Sequence, residues 1–470
     1  MDSRMLETVR VNMSGSRGVA SRDWGDSMVA QGLVRALNLI STLAVARAIG
    51  PSGKGVISAI TLTPSLLMSL GGIVGVSAVA FFSARHGAAG FAATLRMGSI
   101  STLVLILINA CWIVIGAPSG TPPQLLISLL FGIAYLAITF GVNLTAGVLV
   151  QRGHIAGLWR ARLLGATTAC LATISLLALE VHQPLAYLSP PLLELAMVFA
   201  ISLAAFRYNG PPALPEQKSS LDDASLRVSV WRYGKDSVLT LFPAQLHMRL
   251  DRAIILFLMS TEALGAYSAA LSWSSAVFLI GSALGPSLLS SNIRRDQSEA
   301  GEKISALLRL RRLAVIVGAT TIMLAALAPV GVPLLFGAAF HSARTPTVIL
   351  TCAFGVRAIK SLLHEYARSI GIPALGRRSE IAGLVVGMLL TPALGLWIGL
   401  TGIAIGVLMS FLVVAVSMSV SVSCQVPHSE FALLPPLRRD MIFIRDSLFA
   451  YLRVTIESVQ RRSSPSRQVQ

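Results

Sequence analysis

Long apolar runs with almost no charge are the feature that most restricts how this chain can fold. The segments 100–115, 193–206 and 381–416 contain very few ionisable side chains, and several runs approach the ~20 residues that a helix needs to cross a bilayer. Charged residues form only 13% of the 470 residues, whereas a soluble domain carries about 25%. Because backbone polar groups must pair internally within hydrocarbon, the sequence predicts an all-α integral membrane protein.

The apolar runs predict about twelve transmembrane helices. Their centres lie near residues 38, 69, 107, 138, 168, 198, 247, 276, 324, 357, 387 and 411. The net charge of +17 would suggest a nucleic-acid partner for a soluble protein. In a membrane protein the placement of basic residues sets the orientation instead, so we predict membrane lipid and no nucleic acid as a partner.

Basic residues fall on alternate loops between the predicted spans. Besides both terminal segments, the basic loops are those with Arg85 and Arg96, Arg152 to Arg162, Arg207 to Lys235, Arg294 to Arg312, and Arg377 with Arg378. The opposite loops are nearly free of Lys and Arg, with Lys54 and Arg344 as local exceptions. The positive-inside rule therefore predicts that both termini are cytoplasmic.

Two matches at one offset indicate an internal repeat. Asp26-Ser27 recurs 210 positions later as Asp236-Ser237, and Gly55 with Ser58-Ala59 recurs at the same offset as Gly265 with Ser268-Ala269. The alternative is chance, since small residues are common in membrane helices. Six helices return the chain to its starting side, so a duplicated six-helix unit predicts two pseudo-symmetric bundles in the parallel-repeat class of transporters.

The repeat and the loop composition together predict the domain organisation. The predicted parts are a cytoplasmic N-terminal arm (1–23), a six-helix bundle (24–207), a cytoplasmic linker (208–231), a second six-helix bundle (232–424) and a basic amphipathic cytoplasmic tail (425–470). The tail is predicted to lie on anionic lipid, and residues 294–312 are predicted to form an interfacial helix that enters the membrane.

Four ionisable residues in the tenth span share one helical face. Arg357, Lys360, His364 and Arg368 follow at steps of three, four and four. Charged groups within a span usually face a cavity, because exposure to lipid is costly. We interpret the stripe as an electropositive wall for a phosphate-bearing substrate. Snorkelling of Arg368 and His364 to the cytoplasmic interface is the alternative.

Two further spans carry polar faces at helical spacing. The predicted cavity lining is Gln31, Asn38 and Gln245, and the predicted substrate-binding residues are Arg35, Arg249, Arg252, Arg357, Lys360 and His364. Asp251 either neutralises a neighbouring arginine structurally or takes part in ion coupling, for which Glu365 is a second candidate. No cofactor or metal site is predicted, and Na⁺ and H⁺ both stay open as coupling ions.

Enzyme motifs are missing from the sequence. It has no His-Glu-x-x-His, no phosphate-cradling Gly-x-x-x-x-Gly-Lys-Ser/Thr and no clustered carboxylates. We therefore predict that the protein is not an enzyme.

Several stretches resemble bacterial polysaccharide flippases of the Wzx type. They are 46–55 (ARAIGPSGKG), 70–72 (LGG), 78–82 (AVAFF), 250–252 (LDR) leading to 264–270 (LGAYSAA), 334–340 (LLFGAAF), 394–396 (LGL) and 399–404 (GLTGIA). Together they extend over nearly the whole chain, although each alone is weak. Lys54 departs from the family pattern, in which many members have an aromatic residue.

The resemblance implies the fold and function of the multidrug/oligosaccharidyl-lipid/polysaccharide exporter superfamily. Its members have two six-helix bundles in a V around a central cavity, and this family flips undecaprenyl-diphosphate-linked oligosaccharide repeat units outward across the bacterial inner membrane. Neighbouring partners would be a polysaccharide polymerase and glycosyltransferases. The alternatives are an ion-coupled drug or cation antiporter, a lipid II flippase, and a non-transporting scaffold for polysaccharide assembly.

Overall fold

A computed structural model describes residues 3–70, 75–116, 122–152, 154–209, 223–293, 300–369 and 375–423. Within these ranges the secondary structure is helical throughout, without strands. The helices are α1 (Ser3–Leu70), α2 (Val76–Gly116), α3 (Pro122–Gln151), α4 (Ile155–Ala178), α5 (Ser189–Asn209), α6 (Asp223–His247), α7 (Leu250–Leu258), α8 (Thr261–Ile293), α9 (Ala300–Phe336), α10 (Arg344–Ser369), α11 (Leu375–Ile398) and α12 (Leu400–Ser423). Short 3₁₀ helices at Pro184–Leu188 and Ala338–Ala343 precede α5 and α10.

Glycines divide the two longest helices. Gly50 in α1 has φ 65° and Gly87 in α2 has φ 55°, a region that glycine enters without the steric cost of a Cβ atom. Pro51 follows Gly50 directly, and its fixed φ suits the first position of a new helix. Each of α1 and α2 therefore contains two helices that meet at a glycine.

Nine described segments are long and apolar enough to cross a membrane. They are Ala30–Ser69, Val76–Val114, Gln124–Gln151, Ala156–Ala178, Pro184–Tyr208, Leu310–Phe336, Ala338–Ala367, Gly376–Ile398 and Leu400–Val422. The first two are divided by the glycines, and α8, with 33 residues, is about 50 Å long. The parts 51–70 and 76–86, on either side of residues 71–74, count together as the second span. With α6 and α7 as one broken span, the described helices then give twelve spans, as predicted.

The helices pack mainly within two groups. In the first half, Val45 and Ile57 of α1 pack with Phe131 of α3 and with the 3₁₀ turn at Tyr187. In the second half, the core joins Leu264 of α8 with residues of α7, α9, α10 and α12. This grouping agrees with the two predicted bundles.

The halves meet where the repeat places equivalent residues. A Cβ atom on Gly55 would overlap the backbone carbonyl of Thr261, and one on Gly265 would overlap the carbonyl of Pro51. Residues 51 and 261, like residues 55 and 265, are 210 positions apart, so each half presents the same surface to the other. Such a reciprocal contact is the mark of a two-fold axis, and it supports the predicted parallel repeat.

Part of the predicted linker is helical. Residues 223–231 belong to α6, where Leu226 and Val230 pack against Val79 and Phe82 of α2. The first turns of α6 thus lie against the first half, because their apolar side chains complete its core. Residues 210–222 of the linker and the predicted tail (425–470) lie outside the described residues.

Two other predicted segments are continuous with spans. Residues 3–23 of the predicted arm are helical and belong to α1. The interfacial segment 294–312 is described from residue 300 onward, where it forms the beginning of α9. Apolar residues among the basic ones there allow the helix to run on into the membrane without a break.

Candidate functional site

A break between α6 and α7 positions the arginines of the second half. The N–H of Arg249 donates to the carbonyl of Leu246 at 3.0 Å, an i to i−3 bond that tightens the backbone where α6 ends and α7 begins. Pro243 lies inside α6 just before this break. The predicted seventh span is therefore two helices, and His247, Arg249 and the first turn of α7 lie at the junction.

Arg249 reaches from the second half to the first. Its Nη1 donates to Oε1 of Gln245 at 2.6 Å and to Oγ of Ser69 on α1 at 3.4 Å. Both acceptors are neutral, so the guanidinium keeps its full charge. Tyr135 on α3 also lies within electrostatic range of Arg249.

Asp251 is turned into the protein. This carboxylate is 4% exposed and accepts hydrogen bonds from the hydroxyl of Tyr267 at 2.8 Å and from the backbone N–H of Arg252 at 2.7 Å. The bond from Tyr267 anchors the first turn of α7 on α8. Asp251 therefore has a structural contact, although with Tyr267 and not as the predicted ion pair with an arginine. Its part in ion coupling stays a prediction.

Arg252 and Arg357 retain donors without acceptors. The Nε atoms of both are buried and have no hydrogen-bond acceptor among the described residues. The guanidinium of Arg357 lies 5.2 Å from the ring centre of Phe278 and 5.1 Å from that of Phe411, a cation–π arrangement that stabilises the charge without neutralising it.

Lys360 belongs to a cluster of four side chains that we call the Glu380 cluster. Its Nζ is bonded to Oε1 of Glu380, and Nδ1 of His247 lies 3.3 Å from the other carboxylate oxygen. Nε2 of His247 is 2.8 Å from Oγ of Ser410. The cluster joins α6, α10, α11 and α12 in a buried position, with Glu380 7% and His247 4% exposed.

The first half contributes a second charged group. Arg35 of α1 and Arg162 of α4 lie within electrostatic range of each other. Glu194 of α5 lies beside the side-chain amide of Asn38 and within range of Arg162. Glu194 also lies within range of Tyr135, which faces Arg249. The charged groups of the two halves therefore approach each other through Tyr135 and Ser69.

The other predicted site residues lie in three kinds of position: close to another polar side chain, exposed on α1, or further along α10. The structure brings Asn38 to Glu194, Gln245 to Arg249, and Lys360 to Glu380. Gln31 and Arg35 are exposed on α1. His364 packs at Gly376, where a Cβ atom would meet its ring, Glu365 is half-buried on α10, and the side chain of Arg368 lies outside the described residues.

Four ionisable members of the two groups were not among the predicted site residues. Glu194 stands alone in an apolar run, whereas Arg162 and Glu380 adjoin basic stretches that predict cytoplasmic loops. His247 lies at the centre of a predicted span. Of the four, only Glu194 is the single ionisable residue of its apolar run, and this isolation was the available signal.

Among the described residues, Arg35, Arg249, Arg252 and Arg357 form no ion pair with a carboxylate. Arg249 therefore brings a guanidinium without an ion-pair partner to the contact between the halves. Arg252 and Arg357 lie in the same half, with Asp251 and Glu380 within electrostatic range but beyond ion-pair distance. Such an arrangement suits an anion with several acceptor oxygens.

A family model described as polysaccharide biosynthesis protein matches residues 45–345. The match extends over more than half of the 470 residues. The chain belongs to this polysaccharide biosynthesis family. The resemblance noted from the sequence motifs is thereby confirmed at the level of the family. No curated protein sequence matches the chain.

Solved structures with the same fold include transporters of one superfamily. The lipid II flippase MurJ in an inward closed conformation has a TM-score of 0.68 at 12% identity, with 92% of each chain covered. An inward-facing multidrug resistance MATE transporter of the MOP superfamily has a TM-score of 0.64 at 15% identity. The match covers 84% of the chain described here and 95% of that transporter. A MOP superfamily transporter from Pyrococcus furiosus, described as having a binding pocket of reverse polarity, has a TM-score of 0.58 at 14% identity, covering 85% and 93%. At these identities the likeness establishes the V-shaped exporter fold.

Proposed function

We propose that this protein flips a polyprenyl-diphosphate-linked oligosaccharide from the cytoplasmic to the outer leaflet of the bacterial inner membrane. The product would supply a cell-surface polysaccharide such as O-antigen, capsule or exopolysaccharide. The observation that carries the proposal is the group of arginines, from both halves, that have no carboxylate partner among the described residues. Membership of the polysaccharide biosynthesis family supports the same substrate class.

The diphosphate is assigned to the arginines. Arg249 lies at the contact between the halves, and the buried Nε atoms of Arg252 and Arg357 lack acceptors in the described protein. Guanidinium groups bind phosphate oxygens through paired, directional hydrogen bonds. Arg35 would complete the site from the first half.

The first sugars are assigned to the neutral polar residues. Gln31, Asn38 and Gln245 lie next to the arginines in sequence or space, and amide side chains both donate to and accept from sugar hydroxyls. Lys360 is not assigned to the substrate, because it is bonded to Glu380.

Transport would follow from rocking of one half against the other. With both termini in the cytoplasm, the headgroup would enter between the halves from the cytoplasmic leaflet, while the lipid tail remains in the bilayer. Alternating access by movement of two parallel repeats around a fixed site is a known transport geometry. A polysaccharide polymerase and glycosyltransferases would act on either side of this step.

Reconstitution tests the proposal directly. Purified protein in liposomes with a fluorescent lipid-linked disaccharide should move the label between leaflets, measured as the fraction protected from a membrane-impermeant quencher. Arg249→Gln combined with Arg35→Gln should lower the rate by at least about tenfold, since each lost charge-assisted contact costs about 1.5–3 kcal/mol.

Arg344→Gln is the matched control. Arg344 is an exposed arginine at the beginning of α10, so its variant should flip the label at the wild-type rate. An undiminished rate in the Arg249/Arg35 variant would overturn the site assignment, and an inactive wild type would overturn the proposed function.

A drug or cation antiporter is disfavoured by the same charges. Organic cations require carboxylates, yet Glu194 lies within range of Arg162 and Glu380 is bonded to Lys360. A scaffold would not flip the label at all, and a lipid II flippase would prefer a peptide-bearing substrate in the same assay.

A further inference from the structure

The hydrogen atoms of the Glu380 cluster can be counted from its contacts. The hydroxyl of Ser410 donates to the carbonyl of Val407 at 2.8 Å. With its hydrogen used there, the Ser410 oxygen accepts the bond from Nε2 of His247 at 2.8 Å. In this arrangement Nε2 therefore carries a hydrogen.

The contact between Nδ1 of His247 and Glu380 then also needs a hydrogen, carried by one of these two groups. Nδ1 lies 3.3 Å from Oε2 of Glu380, and an ionised carboxylate only accepts. Either Nδ1 is protonated, which makes His247 a cation, or Glu380 holds the proton. Both forms contain one proton more than the combination of a neutral histidine and an ionised glutamate.

A second arrangement satisfies the same groups with one proton fewer. If the Ser410 hydroxyl turns towards Nε2, it donates to that nitrogen, and Nδ1–H donates to the carboxylate of Glu380. The Val407 carbonyl then loses only the bond from Ser410 and remains within α12. Thus the rotation of one hydroxyl allows the buried pair to hold or release a proton without leaving a buried donor or acceptor unpaired.

The surroundings of His247 connect this proton to the arginines. Lys360 and Arg357 face the Glu380 carboxylate from α10, and Asp251 of α7 lies within range of His247. His247 is the last residue of α6, two positions before Arg249 and five before Arg252. A positive charge at His247 therefore changes the electrostatic potential at the start of α7.

We propose that the Glu380 cluster is a proton-binding site whose occupancy is coupled to binding of the anionic headgroup. The inference rests on the proposed function. Negative charge beside Arg249 and Arg252 favours the protonated cluster, and by linkage the protonated cluster strengthens binding of the headgroup to the same degree. This places the ion coupling at His247 and Glu380 instead of at Asp251 or Glu365.

Calorimetry of ligand binding tests the coupling. The probe is farnesyl-diphosphate-linked N-acetylglucosamine, titrated into the detergent-solubilised full chain in buffers of different ionisation enthalpy. Its diphosphate is a diester and lacks the proton that titrates near neutrality in a phosphate monoester, so proton exchange reports on the protein. Wild-type protein should take up protons on binding, and its affinity should fall about five- to tenfold as pH rises from about 6 to about 8.

Histidine variants localise the proton. His247→Gln keeps a polar side chain without a titratable ring, and it should abolish both the proton uptake and the pH dependence. His182→Gln is the matched control, because His182 is exposed beyond the end of α4, and it should behave as wild type. If His247→Gln does not fold, a chain whose remaining six histidines are replaced allows the His247 ring to be followed by carbon NMR, and its ring-carbon shifts should move towards those of the protonated form when the probe is added at constant pH.

The outcomes separate this inference from the proposed function. Binding of the probe without proton uptake, or equal uptake by His247→Gln, overturns the coupling and leaves the flippase proposal standing. A wild-type protein that does not bind the probe overturns both.

Discussion

A buried lysine beside a buried glutamate is the residue-scale feature with the clearest energetic consequence. The pair Lys360–Glu380 connects α10 to α11, and the side chains are 14% and 9% exposed. Desolvation makes such a pair a weak source of stability, whereas loss of one partner leaves a charge uncompensated. We infer that the pair fixes which helices meet and holds Glu380 against His247.

A double-mutant cycle checks this interpretation. Glu380→Gln should destabilise the protein by about 3–5 kcal/mol, because it leaves the Lys360 ammonium without its carboxylate. Lys360→Met should destabilise it less, because His247 and Arg357 still face Glu380. The double variant should lie much closer to wild type than the sum of the two. Thermal unfolding in detergent provides the measurement, and additive losses would show that the two side chains act independently.

The glycine crossing of α1 and α8 is the feature that matters at the scale of elements. The two backbones can approach closely because Gly55 and Gly265 have no Cβ atom. Small residues generally allow such close helix contacts in membranes. Arg47 adds a second link here, since its Nε donates to the carbonyl of Leu335, near the end of α9, at 2.8 Å. This satisfies a carbonyl that the last turn of a helix leaves unpaired.

Gly55→Val should separate α1 from α8. The added side chain would occupy the position of the Thr261 carbonyl, and backbone does not yield as a flexible side chain does. Spin labels are attached at the exposed positions Ser52 and Glu262 in a chain without its native cysteines. Electron paramagnetic resonance should then give a longer and broader distribution of distances between the two labels.

Gly32→Ala provides the control on the same helix. A Cβ atom there meets nothing within 4 Å, so the label distance should stay as in the parent. An unchanged distance in Gly55→Val would show that the crossing tolerates bulk and does not set the approach of the halves.

At the scale of the whole molecule, two contacts between the halves lie at opposite ends of the second span. One is the Gly55–Gly265 crossing, near the Gly50 turn. The other is near the Gly87 turn, where Tyr233 of α6 stacks on Phe81 with ring centres 5.4 Å apart and meets Phe82 edge-on. Arg249, which donates to Ser69, lies between the two contacts. A transporter with alternating access must open them in turn.

Locking the aromatic contact should therefore stop transport. Cysteines at positions 81 and 233, joined by a short bifunctional thiol reagent in the cysteine-free background, are expected to block flipping of the labelled disaccharide. Treatment of the variant with only Phe81→Cys should leave the rate unchanged. Continued flipping by the joined protein would mean that this end does not open during transport.

Much of the architecture follows from local sequence. The length and polarity of the apolar runs determine the spans, because each span must satisfy its own backbone in hydrocarbon. Gly50 followed by Pro51 marks the turn after the first span, and the repeat at 210 residues indicates which positions pack on each other. The break between α6 and α7 was not predicted, although Pro243 precedes it and Gln245, His247 and Arg249 interrupt the apolar run there.

The sequence by itself determined an all-helical membrane protein with a duplicated half and basic residues deep in its spans. Only the tertiary structure decided which charges remain without partners. Arg249 ended among neutral acceptors, and Arg357 ended against two aromatic rings, beyond ion-pair distance of Glu380, whereas Lys360, on the same helical face as Arg357, is bonded to that glutamate. Helical spacing fixes the face on which a side chain lies, but its partners come from helices far away in sequence, and electrostatic free energy depends on those partners.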